Sequence, residues 1–234
     1  MREDADPIER ARADGRTTLT EAEAKTLLAG VGIETLPFEV ASTPEDAAAA
    51  AERVGLPVVV KVSSPDVTHK SEWMDGLGVT VGLTEAAAVE TVARDVLDAA
   101  AGAGIEADVL VEAAADVEAG TEVIVGGLRD PSFGPVVLAG LGGVFTEIFE
   151  DTAHRLAPID DAEARAALAE LTSAPLLEGY RGSEPADLEA LAGVVRRVGD
   201  LLVEREEIAE IDVNPVLAGP DGATALDALV VIEE

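Results

Sequence analysis

The sequence predicts an α/β or α+β protein with two subdomains. Apolar stretches of strand length alternate with amphipathic stretches of helix length at first, and strands then cluster in the second half. The change from alternating strands and helices to clustered strands falls near residues 112–118. We therefore predict an N-terminal extension at residues 1–16 and subdomains at residues 17–115 and 116–234. No internal repeat or low-complexity linker is visible in the 234 residues.

Capping and stop residues bound the elements of the first half. A helix is predicted within residues 17–32, because Thr20 and Glu23 form a capping-box pattern and glycines follow. In "STPEDAAAAAERVG" a Ser or Thr caps a second helix that stops at Gly55. Strands are predicted at "ETLPFEVA", "LPVVVKVS", "GVTVGL" and "ADVLVEAA", with the long helix "TEAAAVETVARDVLDAAAGAG" before the last.

The second half begins with glycine-rich strands. Residues 118–149 alternate β-branched runs with glycine turns, which predicts adjacent strands closed by a glycine loop. Two helices follow, in "DDAEARAALAEL" and "EPADLEALAGVVRRVGDLLVE". The strands "IAEIDVNPVLAG" and "ATALDALVVIEE" come last, and the turn "GPDG" joins them in a hairpin-like arrangement.

The acidic balance of the chain excludes whole classes of partner. Its net charge of −31, from 47 acidic and 16 basic residues, opposes binding to nucleic acid or to an anionic membrane surface. The acidic residues are spread among core-like apolar runs, which is typical of a folded protein with an acidic surface, as in salt-adapted organisms. We therefore expect lower stability at low salt, where self-repulsion is less screened.

The chain has no cysteine, which excludes disulfides, thiol chemistry and cysteine-based zinc sites. No apolar run reaches the length of a membrane span, and the charged start "MREDADPIERARADGR" shows no secretory signal. We expect a cytoplasmic protein. Because aromatic residues make up only 3% of the chain, its core is expected to consist of Ala, Val, Leu and Ile.

A lysine and a glycine cluster are the first candidates for an anion site. Lys61 interrupts an apolar strand, where its ammonium group either reaches the strand's edge or enters a cleft that holds phosphate. Gly140, Gly142 and Gly143 in "GLGGVFTE" let backbone amides approach an anion, but they also fit a plain tight turn. Neither a Walker A lysine nor a following helix is present, which excludes a P-loop and a dinucleotide fingerprint.

Asp212, Asn214 and Asp227 form a candidate magnesium site. Asp212 and Asn214 are two residues apart on a strand and share one face. Asp227 lies on the next strand and can face them across the pair. Carboxylate and amide oxygens suit Mg²⁺, although solvated polar residues at strand ends give the same pattern. Asp227 is the stronger candidate because "ALDALVVI" is otherwise apolar.

His69 is one of only two histidines in the chain. It lies in the polar loop "VTHKS", shortly after the strand that contains Lys61. A lone histidine in a loop is most often an exposed surface residue, and the loop by itself does not indicate more. The other histidine, His154, fits a structural or surface position.

Six segments together resemble a known family. They are "LTEAEAKTLLAGVGI", "GLPVVVKVSSPDVTHKSE", "GTEVIVGGLRDPSFGPVVLAGLGGVFTEIFED", "RLAPI", "PLLEGYRG" and "EIDVNPV". In order and spacing they resemble the β subunit of ADP-forming acetyl-CoA synthetase, which is related to succinyl-CoA synthetase. The resemblance covers residues 17–234 and implies an ATP-grasp fold, in which two subdomains clasp ATP between them.

The resemblance implies roles for individual residues. Lys61 matches the lysine that contacts phosphate, and His69 in "THKS" matches the histidine that family members phosphorylate. Glu112 falls on the hinge strand where this fold binds adenine and ribose, and Glu122 matches a nucleotide-side motif. Arg181 in "GYRG" matches a family motif to which we assign no role.

The remaining matches concern the phosphates and the metal. Gly142 and Gly143 are expected to contribute backbone amides to the nucleotide. Asn214 and Asp227 match the family's magnesium ligands, with Asp212 as an accessory. The implied cofactor is Mg²⁺, with ATP or ADP as substrate.

The resemblance also implies a reaction and a partner. In the family, a phosphoryl group passes by way of histidines from acyl phosphate to ADP, and the net reaction is acetyl-CoA + ADP + phosphate ⇌ acetate + ATP + CoA. This chain has no CoA-binding domain, so a separate α subunit is expected, in an α₂β₂ assembly. The alternatives are a β subunit for another acid (succinyl, branched-chain or aryl) and a non-catalytic nucleotide-sensing ATP-grasp module.

The sequence departs from the family pattern in one place. The family runs from "HKS" through a short glycine pair into the next strand, whereas here "HKSEWMDGLGV" is longer and contains Trp73 and Met74. The shape of this loop is therefore not implied by the resemblance.

Overall fold

The structure, a computed structural model, describes residues 6–67, 69–142, 151–180 and 183–233. Its contacts divide the chain into two units. The first unit comprises the described residues within Met1–Leu19, Glu23–Thr35 and Asp116–Glu234. The second unit comprises those within Thr20–Ala22 and Leu36–Ala115. The predicted boundaries at residues 16 and 115 remain predictions.

Helices and strands alternate along the described chain. The helices are α1 (Pro7–Ala13), α2 (Glu21–Gly30), α3 (Pro44–Val54), α4 (Ala86–Ala103), α5 (Asp161–Glu170), α6 (Ala174–Leu177) and α7 (Leu188–Glu204). Single 3₁₀ turns lie at Trp73–Gly76 and Val117–Ala119. The strands are β1 (Glu34–Thr35), β2 (Phe38–Ala41), β3 (Val58–Ser63), β4 (Val79–Leu83), β5 (Asp108–Ala113), β6 (Thr121–Asp130), β7 (Gly134–Leu141), β8 (Thr152–Leu156), β9 (Ile208–Gly219), β10 (Gly222–Ala225) and β11 (Ala228–Ile232).

The second unit is an antiparallel sheet covered by two helices. Its four strands are ordered β2-β5-β3-β4. Helix α3 starts where the Thr43 side chain accepts a hydrogen bond from the amide of Asp46, and it ends at Gly55. With α4 it covers one face of the sheet, and the core between them consists almost entirely of alanine and valine. Small side chains suffice here because both helices turn alanine-rich faces to the strands.

The first unit contains a sheet of seven strands among the described residues, ordered β1-β10-β9-β6-β7-β8, with β11 also paired to β9. Helix α7 packs on one face of it. Gly127 of β6 allows the close approach, since a Cβ there would lie 2.4 Å from Cδ1 of Leu202 and 3.2 Å from Cγ1 of Val198. Glu122 of β6 and Asp212 of β9 alternate with Val123 and Val213, which are buried in the core of this unit, so they lie on the opposite face of the sheet.

Two stretches, each predicted as one strand, are divided into two strands in the structure, so these two predictions are wrong in that respect. "ETLPFEVA" breaks at Pro37, which has no amide to donate to a ladder, and its halves join different sheets. "ATALDALVVIEE" breaks between β10 and β11, opposite Pro215 of β9. Proline again interrupts the ladder, and the amide of Leu226 donates to the Pro215 carbonyl instead.

The other predicted helices and strands are confirmed within the described residues, including the hairpin that pairs Gly219 with Gly222, while most of the predicted glycine loop lies outside those residues. Within the predicted extension at residues 1–16, Pro7–Ala13 form α1, whose Ile8 and Ala11 are buried in the core of the first unit. No helix in the described part of the chain is both long and apolar enough to cross a lipid bilayer.

Candidate active site

The second unit contains a buried ion pair on the sheet face opposite its helices. In the β3/β5 ladder Lys61 pairs with Leu110, and Val59 pairs with Glu112. Lys61 and Glu112 are therefore diagonal neighbours on one face. The Lys61 Nζ atom lies 3.0 Å from Oε2 of Glu112, and the two side chains are only 9% and 2% exposed. The lysine does not reach water at the strand's edge, because a carboxylate meets it inside the unit.

Glu21 joins this pair to a second lysine. Its Oε1 atom lies 2.6 Å from Nζ of Lys61, and its Oε2 atom lies 3.0 Å from Nζ of Lys70. The Glu21 side chain is 1% exposed, and that of Lys70 is 12% exposed. The two cations and two anions balance in charge, which is the condition under which charged groups tolerate burial.

His69 precedes Lys70 directly and is exposed. Its backbone carbonyl accepts a hydrogen bond from the amide of Glu72, at 3.2 Å, and that of Lys70 accepts one from Trp73, also at 3.2 Å. An exposed imidazole on a tightly turned segment can meet a phosphoryl group, while its neighbours fix the backbone. Thr68, which precedes it, lies outside the described residues.

The loop after His69, which the sequence interpretation predicts to be longer than in the family, forms a compact turn. Met74 and Asp75 adopt left-handed backbone conformations, with φ angles of 47° and 57°, which costs energy for residues other than glycine. Gly78 then passes directly beneath Lys70, and a Cβ atom at Gly78 would lie 2.1 Å from the Lys70 carbonyl oxygen. Only glycine fits this close approach.

In the first unit, the candidate nucleotide residues lie on the sheet face that α7 does not cover. The exposed Glu122 pairs with Leu217 in the β6/β9 ladder, and Gly126 of the same strand face pairs with Asp212. Gly142 follows β7, and its amide donates to the Glu122 carbonyl at 2.7 Å. A Cβ at Gly142 would lie 3.1 Å from the Cβ and the carbonyl oxygen of Glu122, so a side chain there would require a small shift of Glu122.

Asp212, Asn214 and Asp227 meet at the β9/β11 junction. The amide of Asn214 donates to the backbone carbonyl of Asp227 at 3.2 Å, and Oδ1 of Asp227 accepts from the amide of Ala228 at 2.8 Å. Burial, together with the negative charges of Glu210 and Asp227, raises the pKa of Asp212. The site therefore concentrates negative charge on oxygen atoms, which is what a divalent cation offsets.

The described residues contain no group of three or more histidine, aspartate or glutamate side chains placed to hold a metal ion. The candidate donors comprise two carboxylates and the amide of Asn214. Magnesium sites commonly use one or two carboxylates and complete the shell with water and phosphate oxygens. The residues present thus fit a magnesium ion that a nucleotide helps to bind.

Two residues from the sequence interpretation, Gly143 and Arg181, lie outside the described residues. The two ends of the glycine loop are described. Gly140 pairs with Thr152 of β8, and Asp151 accepts hydrogen bonds from the backbone amides of Thr172 and Ser173. The hydrogen bond from the Ser173 hydroxyl, with these amides, lowers the pKa of Asp151.

Sequence reasoning missed Glu21, Lys70 and Lys25. In the sequence, Glu21 has the pattern of an ordinary acidic residue at a helix start, and Lys70 that of an ordinary polar loop residue. Lys25 is completely buried, and its Nζ atom donates to the carbonyl of Leu226 at 2.8 Å, next to Asp227. The one available signal is spacing, since Glu21 and Lys25 are four apart and share a helix face with apolar residues.

The comparisons with known proteins agree with one another. The family model of the ATP-grasp domain matches residues 10–232. The β subunit of ADP-forming acetate–CoA ligase I from Pyrococcus furiosus is 40% identical over 226 residues, which cover 96% of each chain. The ADP-forming acetate–CoA ligase I of Archaeoglobus fulgidus is 37% identical over 237 residues, and the match spans this whole chain but 34% of that one.

Solved structures of acetyl-coenzyme A synthetase 1 from Ca. Korarchaeum cryptofilum are also similar. The complex with coenzyme A and Ca-AMPCP has a TM-score of 0.91 and is 39% identical in sequence. The match covers 97% of this chain and 98% of the chain in that complex. A complex with coenzyme A and Mg-AMPPCP has a TM-score of 0.84 and 38% identity, with coverage of 97% and 99%. In the latter, the phosphohistidine segment points towards the nucleotide-binding site.

Proposed function

Because this chain belongs to the ATP-grasp family, we propose that it is the β subunit of an ADP-forming acetate–CoA ligase. The net reaction is acetyl-CoA + ADP + phosphate ⇌ acetate + ATP + CoA. The observation that carries the proposal is the match to a β subunit of that name over 96% of both chains. His69 is the residue proposed to react. It is exposed, and it precedes a member of the buried charge cluster formed by Lys61, Lys70, Glu21 and Glu112.

His69 is the proposed phosphoryl carrier. In the direction of ATP synthesis, phosphohistidine donates to ADP. The bond between phosphorus and the imidazole nitrogen breaks as a bond from phosphorus to an oxygen of the β-phosphate forms, and the imidazole leaves with the electron pair. A neutral imidazole can attack a phosphoryl group in the reverse direction without a strong base.

Lys61 is the proposed phosphate contact in the second unit. Phosphoryl transfer depends mostly on positioning and on neutralising charge at the phosphate oxygens. Lys61 is already held by two carboxylates, so its ammonium group has a fixed position before any nucleotide arrives. Glu112, at the end of the strand before the chain leaves this unit, is proposed to contact the nucleoside.

The first unit is proposed to supply the remaining contacts. Asn214 and Asp227, with Asp212 as an accessory, would hold Mg²⁺, which when bound neutralises charge on the nucleotide phosphates. Glu122 is proposed on the nucleotide side, as are the backbone amides of Gly142 and Gly143. Asp212 is proposed to add negative charge beside the metal when it is ionised; burial, together with the charges of Glu210 and Asp227, raises the pKa of this residue.

The proposed partner is a CoA-binding α subunit on a separate chain, in an α₂β₂ heterotetramer. Two facts support a separate partner. The similar protein of P. furiosus is a β subunit of the same extent as this chain. The A. fulgidus ligase matches this chain over only about a third of its length, so in that protein a region similar to this chain is joined to further sequence in one polypeptide.

Co-expression with the chain encoded by the neighbouring gene tests the proposal. The complex should form ATP from acetyl-CoA, ADP and phosphate, with Mg²⁺ present, and the assay can be repeated with succinyl, branched-chain and aryl acyl-CoA. Activity with a different acyl group alone would reassign the acid. Nucleotide binding without ATP formation from any of them would contradict the proposal and favour a nucleotide-sensing module.

A further inference from the structure

One buried carboxylate, that of Glu21, connects residues 69–73, here called the His69 segment, to Lys61, the proposed phosphate lysine. The two oxygens of Glu21 contact different lysines, at 2.6 Å from Nζ of Lys61 and 3.0 Å from Nζ of Lys70. All these residues belong to the second unit. No proposed step of the reaction uses Glu21 or Lys70.

Glu21 is not needed merely to neutralise Lys61. Glu112 already lies 3.0 Å from the same ammonium group, so Lys61 has a carboxylate partner without Glu21. What Glu21 adds is the contact with Lys70, the residue next to His69. A buried ion pair is a weak source of net stability, because desolvation cancels much of the attraction, and fixing an orientation is a better reason for one.

The ion pair between Glu21 and Lys70 restrains the chain directly beside His69. The Lys70 side chain is 12% exposed while His69 itself is exposed, so the chain is anchored immediately beside the imidazole. The backbone hydrogen bonds from Glu72 and Trp73 then turn the following residues back. Since the anchoring carboxylate also contacts Lys61, the restrained segment lies on the side where Lys61 is proposed to meet phosphate.

We propose that Glu21 is a positioning residue that, through Lys70, holds the His69 segment in its nucleotide-facing orientation. The proposal rests on the proposed function for the identity of the carrier and of the phosphate lysine. It predicts that loss of the Glu21 charge loosens the segment and slows phosphoryl exchange with the nucleotide, while exchange with the acyl-CoA partner is spared.

The chain contains a built-in reporter of the segment. Trp73 is its only tryptophan, and it lies three residues after Lys70. The side chain is half-buried and packs against the core of the second unit. Quenching of its fluorescence by acrylamide, a neutral quencher, therefore measures how tightly the segment is held, without any turnover.

The first experiment compares three variants of this chain by acrylamide quenching. Glu21→Gln and Lys70→Gln should raise the quenching constant of Trp73 at least about twofold, because each removes the anchor. Glu23→Gln is the matched control, since Glu23 lies on the same helix but pairs with Arg16 at 2.8 Å. Quenching constants equal to wild type in both Glu21→Gln and Lys70→Gln would overturn the proposal.

The second experiment separates the two directions of phosphoryl entry in the co-expressed complex. Labelling of His69 from Mg-ATP should slow by about 10- to 100-fold in Glu21→Gln, in line with the cost of small misplacements. Labelling from acetyl-CoA and phosphate should match wild type. Equal slowing of both reactions would indicate a merely structural role and would overturn the proposal.

Lys70→Gln keeps the test decisive if Glu21→Gln does not fold, because the contact between Glu21 and Lys61 remains in that variant. Labelling of wild type from neither source would contradict the proposed function. The Trp73 quenching comparison would still decide whether Glu21 holds the segment, so the two failures are distinguishable.

Discussion

The ammonium nitrogen of Lys61 lies 3.0 Å from Oε2 of Glu112, across the adjacent strands β3 and β5. Both side chains are nearly fully buried, so neither charge can be relieved by water if the other is removed. This relationship makes the proposed phosphate lysine a structural residue as well. Stability and nucleotide binding must therefore be measured separately for every variant at these positions.

We predict that Lys61→Met lowers the free energy of unfolding by about 3–5 kcal/mol, because it removes an ammonium group that contacts two buried carboxylates. The double variant Lys61→Met/Glu112→Leu should recover most of that loss, since an apolar pair of similar volume replaces the ion pair and Lys70 still faces Glu21. Urea denaturation measures both. Calorimetry with Mg-ADP should show weak binding in both variants, and a Lys61→Met protein as stable as wild type would contradict this account of the pair.

The acidic cluster at the β9/β11 junction gives a second prediction. Asp212→Asn should leave thermal stability in EDTA unchanged or raised, because it removes repulsion with Glu210 and Asp227. It should also reduce the rise in melting temperature that Mg²⁺ with ADP produces in wild type, since a ligand that binds more weakly raises stability less at the same concentration. Asp227→Ala should reduce it further. A Mg²⁺-dependent shift equal to wild type in both variants would reject the proposed metal site.

Gly78 gives a third prediction, because the Lys70 carbonyl occupies the space a side chain would need. Gly78→Ala should cost about 1–3 kcal/mol of unfolding free energy, as in other overpacked positions, and it should raise the acrylamide quenching of Trp73. Gly102→Ala is the control. It lies in α4 with open space around it, and alanine there should stabilise by about 0.5–1 kcal/mol. Unchanged stability in Gly78→Ala would show that the close approach is absent.

The elements could be predicted because their signals are local. Thr43 caps α3 and Gly55 ends it, as the pattern indicated. The break at Pro215 could not be foreseen, because it depends on which stretch of β9 each neighbouring strand meets. For the site, spacing and resemblance identified Lys61 and His69. Glu21 escaped notice because its partners are 40 and 49 positions away, and burial of a charge is decided by tertiary packing.

The acidic surface gives a fourth prediction, on salt. With a net charge of −31, the folded chain should gain melting temperature as sodium chloride rises from about 0.1 M to about 1 M, where the screening length falls from about 10 Å to about 3 Å. Sorbitol at equal osmolality is the control, because it is excluded from the surface without screening charge. Equal effects of salt and sorbitol would argue against self-repulsion.

The most direct test of the central claim is to find where phosphate becomes attached. The co-expressed complex, incubated with γ-labelled Mg-ATP, should acquire acid-labile, base-stable label on this chain, and peptide mapping should place it on His69. His69→Asn should abolish both the label and ATP formation while the far-UV circular dichroism stays unchanged, because His69 is exposed. His154→Asn, which changes the only other histidine, should retain both. Full labelling of the His69→Asn complex on this chain would contradict the account.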